Sequence, residues 1–183
     1  VGGAGGYAHY KKHQARGDEK MPVAVVLGCP PVVAFMGPQK LPLDMDEVRV
    51  AGGLAGGPIN MVKARTVDLL VPAEAELVIE GVIDTEMVEP EGPFGESHGH
   101  VALEEFNMPM QVTAITYRKN AVLTSYISQA APSESSVIKR IAYEPLFLAH
   151  LRDALGIKGV KKVSLHEPLT GLLRVTIITV DQE

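Results

Sequence analysis

Hydrophobic positions divide the chain into a long strand-like stretch followed by a shorter helical one. Met21 to Leu27 (M-P-V-A-V-V-L) is an unbroken apolar run stopped by Gly28, the pattern of a buried strand. Val67–Val71, Ala75–Ile83, Gln111–Arg118 and Ala121–Ser128 are rich in Val, Ile, Thr and Tyr and predict further strands, the last two joined by a tight hairpin at Arg118-Lys119-Asn120. Before them, Tyr7 to Arg16 predicts a short helix carrying Lys11, Lys12 and Arg16 and closed by Gly17. Helical spacing returns late. Pro132-Ser133-Glu134 offers a cap, and Val137, Ile138, Ile141, Leu146, Leu148 and Leu151 follow, with Pro145 predicted to split the stretch and Gly156 to end it. Val160–Leu165 and Leu172–Val180 read as strands again. Cys29-Pro30-Pro31 to Gly37-Pro38 and the block Ala51–Pro58 (A-G-G-L-A-G-G-P) predict irregular or tightly turning loops. The fold class is therefore α+β and β-rich, with a body over residues 1–130 and the start of an α/β unit over 131–183.

Composition narrows the function classes. With 183 residues and 46% hydrophobic content, the chain can bury a core without staples. The net charge of −5, without a basic stripe or a stacking platform, argues against nucleic acid as a partner. No run of about 18 apolar residues exists, so no membrane helix is expected. Cys29 is the single cysteine; it reads as a small packed residue rather than a nucleophile, and a reducing, cytoplasmic compartment is the simpler assumption. The opening Val1-Gly2-Gly3-Ala4-Gly5-Gly6 has neither a charged nor an apolar leader segment, and the last residues follow directly on a strand; both ends read as the edges of a segment of a longer protein.

Chemistry concentrates in Glu89-Pro90-Glu91-Gly92-Pro93-Phe94-Gly95-Glu96-Ser97-His98-Gly99-His100. Two prolines and three glycines exclude a regular helix or a central strand. On a helix Glu91 and Glu96 would diverge by roughly 140°, so only a shaped loop brings them together. Converging carboxylates raise one another's pKa and can leave one protonated for delivery; the plainer alternative, which composition favours, is a solvated acidic turn. His98 and His100 share one face of an extended segment and with Glu96 mimic a metal site, a weak signal without a third ligand. His9 and His13 lie four apart on the predicted helix, a spacing that could chelate, but the adjacent Lys11 and Lys12 favour a solvated face, while His150 and His166 are scattered. There is no dinucleotide fingerprint, phosphate loop or nucleophile elbow. A glycosidase using Glu91 and Glu96 needs carboxylates about 5–9.5 Å apart and an aromatic-lined cleft; a chain with no Trp and nine aromatics is poorly suited to that.

Three stretches in register resemble the UbiD-type reversible decarboxylases. They are A-G-G-L-A-G-G-P-I-N-M-V-K (Ala51–Lys63), D-L-L-V-P-A-E-A-E-L-V-I-E-G (Asp68–Gly81) and E-G-P-F-G-E (Glu91–Glu96) followed by Gly99, and the similarity runs from about Tyr7 to the end. The resemblance implies a split β-barrel of the flavin-reductase-like kind over residues 1–130, followed by the beginning of a C-terminal α/β oligomerisation domain. It implies prenylated FMN with Mn2+ or another divalent cation, and K+, as cofactors. The substrate implied is a small carboxylic acid, aromatic or α,β-unsaturated and hydroxybenzoate-like, and the partners are further copies or other segments of the same enzyme. By the same resemblance Glu91 and Glu96 are catalytic, Glu96 as proton donor; Glu47, 44 residues before Glu91, is the metal ligand; and Glu47, Ser97 and Lys63 bind the cofactor. The departures are as informative. The family's catalytic Arg and its metal-binding Asn and His belong to segments before or around the start of this chain, the His position falling near Gly5, and Ala55 stands where an Arg is common. A flavin-binding fragment or subunit without turnover is therefore the alternative reading of this polypeptide.

Overall fold

A computed structural model describes residues 4–37, 39, 41, 45–95, 101, 102, 106–127, 133–165 and 176–181. The chain forms two compact units, one of residues 1–91 with 105–124 and one of residues 92–104 with 125–183.

In the first unit, α1 (Ala4–Arg16) leads into β1 (Lys20–Leu27), then α2 (Pro31–Met36), α3 (Glu47–Ala55), β2 (Met61–Lys63), β3 (Leu70–Pro72) and β4 (Leu77–Asp84). Strand β1 pairs antiparallel with β4 from Lys20↔Asp84 to Leu27↔Leu77, and β4 is the middle strand of a three-stranded sheet completed by β7 (Met110–Tyr117). Strands β2 and β3 form a separate antiparallel pair. A core of Tyr10, Met21, Ile83 and Met108, with Tyr7, Val23 and Met110 packed against it, joins α1 to this sheet. Thr85, buried at the end of β4, secures the junction. Its carbonyl accepts from the Tyr10 hydroxyl (2.6 Å) and Gln14 Nε2 (3.0 Å), while its own hydroxyl donates to the Asp18 carbonyl (2.6 Å).

The second unit holds the short antiparallel pair β5 (Phe94–Gly95) and β6 (Val101–Ala102); β7 (Met110–Tyr117) belongs to the first-unit sheet. It continues with α4 (Glu134–Ala149), a π-helical turn (His150–Ala154), β8 (Val160–Leu165) and β9 (Thr176–Val180). Val160, Val163 and Leu165 are its buried apolar residues, and Glu144 of α4 accepts from the Leu165 N–H at 2.9 Å.

The α+β, sheet-rich character is as the hydrophobic pattern predicts, but several elements differ. The loop expected at Cys29–Pro38 contains α2, because Pro31 sits at a first helical position, where its missing N–H costs nothing. The loop expected at Ala51–Pro58 is largely α3. Asp46 caps it, accepting from the Val48 and Arg49 N–H groups (2.8 and 3.3 Å), and the helix ends only at Gly56, whose φ of 74° is left-handed. Gly52 within it is buried against the Gly57 carbonyl, where a side chain would crowd. The strand expected at Ala121–Ser128 is absent over the described residues 121–127. Glu76 takes the Val122 N–H (3.0 Å) and Glu134 the Ile127 N–H (2.6 Å), so these donors serve carboxylates instead of a ladder. Pro145 does not split α4; Tyr143 and Phe147 stack across it, 5.7 Å between centroids, and the helix runs on to Ala149. The strand expected from Leu172 is described from Thr176 onward as β9.

Candidate functional site

The acidic loop departs from the end of β4 and is closed at its base by a reciprocal backbone pair. Glu89 N–H donates to the Asn107 carbonyl (2.8 Å) and Asn107 N–H to the Glu89 carbonyl (2.6 Å). Such a double bond fixes the chain ends, so the Pro90–Pro93 segment leaves from a set point. Glu91 is half-buried while Glu89 is exposed, so of the two described carboxylates Glu91 is the one withdrawn from bulk water. Farther along, Phe94↔Ala102 and Gly95↔Val101 pair antiparallel. Glu96, Ser97, His98 and His100 lie outside the described residues, as does His166.

Glu47 opens α3, immediately after the Asp46 cap, and is exposed. A carboxylate in a first helical turn is favoured by the free N–H groups there. Lys63 ends β2, paired in register with Leu70, and is exposed. Neither Glu47 nor Lys63 has a side-chain ion pair among the described residues, and no hydrogen bond links Glu47, Lys63 and Glu91 to one another. An exposed cation and an exposed hard-oxygen carboxylate, neither ion-paired among the described residues, are groups of the kinds that bind a phosphate and a divalent ion. The described residues contain no group of three or more His, Cys, Asp or Glu able to hold a metal, so Glu47 fits as one ligand of such an ion and not as a complete site. Two shallow depressions, of about 250 and 360 Å3, are lined in part by Asp18, Asp84 and Glu86 and by Met87, Pro109 and Met110; none of the candidates lines either.

His9 is exposed and His13 Nδ1 lies 2.8 Å from Asp18 Oδ2, which matches a solvated helix face rather than a chelating pair. Cys29 is partly buried, and desolvation pushes its thiol up, against a smaller opposing backbone hydrogen bond.

Sequence reasoning passed over Glu80. It is 1% exposed in the middle of β4, among Val78, Ile79, Gly81 and Val82. Both its oxygens accept from the Arg65 N–H (2.8 and 2.9 Å), and one also accepts from the Thr66 N–H and hydroxyl (2.6 and 2.7 Å). These donors, the Arg65 N–H first, hold its carboxyl below the usual carboxylate range despite the opposing effect of burial. A carboxylate inside an otherwise apolar strand run was the available signal. The register of β4 against β7 also shifts between Glu80 and Gly81, where a side chain on residue 81 would collide with the Gln111 carbonyl.

Residues 1–131 match a family described as UbiD, 3-octaprenyl-4-hydroxybenzoate carboxy-lyase Rift-related domain. An uncharacterized protein of Synechocystis sp. is 33% identical over 149 residues, which is 81% of this chain and 29% of that protein. Among solved structures, the UbiD-class enzyme HmfF from Pelotomaculum thermopropionicum in complex with FMN superposes with a TM-score of 0.81 at 30% identity, over 100% of this chain and 40% of that one. The open form of vanillic acid decarboxylase from Sedimentibacter hydroxybenzoicus, with truncated ShVdcD, gives a TM-score of 0.80 at 25% identity over 96% of this chain and 36% of its own. The chain thus spans less than a third of the length of the Synechocystis relative and about two fifths of the solved enzymes.

Proposed function

Since this chain belongs to the UbiD family of carboxy-lyases, we propose that it serves the reversible, non-oxidative decarboxylation of an aromatic or α,β-unsaturated carboxylic acid, hydroxybenzoate-like in kind. The observation that carries the reading is the family match over residues 1–131, together with a fold shared with an FMN-bound UbiD-class enzyme. In this reading residues 1–130 bind prenylated FMN and residues 131–183 begin the C-terminal domain. A further copy, or other segments of the same enzyme, completes the assembly.

Breaking the carbon–carboxyl bond leaves an electron pair on the substrate carbon, and the modified flavin, when bound, supplies the sink for it. The protein's part is positional. Lys63 and Ser97 would hold the cofactor, and Glu47 would contribute one oxygen ligand to a Mn2+ ion, or another divalent cation, that offsets the phosphate charge, with K+ as a further ion. Once carbon dioxide has left, the same carbon takes a proton, and Glu96 is the acid assigned to deliver it. Glu91, half-buried on a loop clamped at Glu89 and Asn107, is assigned as the second acid of this step.

Reconstitution with prenylated FMN and Mn2+ tests the reading through carbon dioxide release, or through deuterium exchange at the substrate α-carbon. Glu96→Gln should abolish both while leaving flavin binding intact; unchanged turnover refutes the donor role. A second reading, a flavin-binding module without turnover, is favoured by the glycines at the chain start where the family's metal-binding His falls. Flavin binding without carbon dioxide release or exchange would select it.

A further inference from the structure

Glu80 is a buried charge with no Lys, Arg or His paired to it among the described residues. Removing a carboxylate from water is costly, and an apolar residue would pack a central strand at lower cost. What the carboxylate achieves here is local. It gathers the Arg65 and Thr66 N–H groups and the Thr66 hydroxyl onto its two oxygens. Because the Thr66 hydroxyl donates to Glu80, the contact at 2.6 Å with the Thr113 hydroxyl of β7 is one in which Thr113 donates. Ala64 N–H closes the turn on the Leu69 carbonyl at 2.9 Å. The backbone from Lys63 to Thr66 is therefore anchored to two strands of the main sheet, while the Lys63 and Arg65 side chains stand exposed, without an ion pair among the described residues. Flexible surface cations gain affinity for an anion when their backbone is set beforehand, since less freedom is lost on binding.

We propose that Glu80 is a positioning residue that holds the Lys63–Thr66 turn so that Arg65 joins Lys63 as a two-cation seat for the phosphate of the flavin cofactor. This rests on the flavin reading above and adds two residues to it. Arg65 makes the new contact with the ligand, its planar fork suiting phosphate oxygens. Glu80 acts only through the turn.

The test is equilibrium binding of FMN and, separately, of riboflavin, which lacks the phosphate, to the full chain, followed by flavin fluorescence. Arg65→Gln should weaken FMN about tenfold, a loss of one charge-assisted contact, and leave riboflavin within about twofold. Glu80→Gln and Thr66→Val should lower the FMN-to-riboflavin preference by about threefold, since the turn loosens while both cations remain. A purely architectural Glu80 would lower thermal stability and weaken both flavins alike, and an unmoved preference in Arg65→Gln or Thr66→Val overturns the proposal even if Glu80→Gln fails to fold. A chain that binds neither flavin overturns the flavin reading, and the two-cation seat with it. A chain that binds both with unmoved preference in the variants overturns the seat alone.

Discussion

Glu80 and its neighbour Gly81 show how much a strand position can demand of one residue. With its carboxyl held below the ordinary value near 4.5, Glu80 favours the folded chain wherever the unfolded chain binds the extra proton. Its contribution is complete above the unfolded pKa and is lost as pH falls through the lower folded one. Melting temperature should therefore fall on acidification below about pH 4.5, and the difference between wild type and Glu80→Gln should shrink across the same window. A difference that stays constant with pH would show that Glu80 is not ionised in the folded chain. Gly81→Ala should cost about 1–3 kcal/mol, readable in urea denaturation, because the added methyl group meets the Gln111 carbonyl and the Met110 side chain. The carboxylate in an apolar strand run was visible beforehand, but its partners were not, because the turn that chelates it lies about fifteen residues away in the chain. The loop that carries Glu91 was legible because prolines and glycines announce a fixed shape.

Among elements, those with strong periodicity were readable and those defined by tertiary partners were not. The strand at Met21–Leu27 and the helix ending at Arg16 emerge nearly as predicted, extended to Lys20–Leu27 and Ala4–Arg16. Helix α3 was missed because glycines at 52 and 53 signal a turn locally, whereas the Asp46 cap and the tight approach to Gly57 make a helix the better solution. Asp46→Ala should accordingly cost about 1 kcal/mol in thermal unfolding and weaken the presentation of Glu47, lowering cofactor retention by more than an exposed-surface control. The predicted break at Pro145 failed for the opposite reason, since contacts on both sides of the proline keep α4 continuous. Pro145→Ala restores an N–H that can reach the Ile141 carbonyl, and it should raise the melting temperature of the second unit. A fall would mean that the π-helical turn after Ala149 depends on the proline.

For the whole molecule, fold class and family were legible together, because sheet-forming runs and three long motifs recur in one order along the chain. The partition into units was less so. A stretch of residues 92–104 groups with the C-terminal residues rather than with the strands on either side of it, a non-local arrangement that no window of sequence encodes. At this scale the metal can be tested without turnover: if Glu47 helps hold a divalent ion against the cofactor phosphate, chelation with EDTA should release bound FMN, whereas riboflavin occupancy should not respond. Release that is equal for the two flavins would remove the ion from the phosphate. The partly buried thiol of Cys29 bears on how such measurements can be made. A sulfhydryl held in its protonated form reacts slowly with maleimides, and it is the only one the chain possesses. Asp68→Cys, at an exposed position just after the turn, can thus carry a fluorophore with little background labelling and report on the Lys63–Thr66 segment while both cations remain.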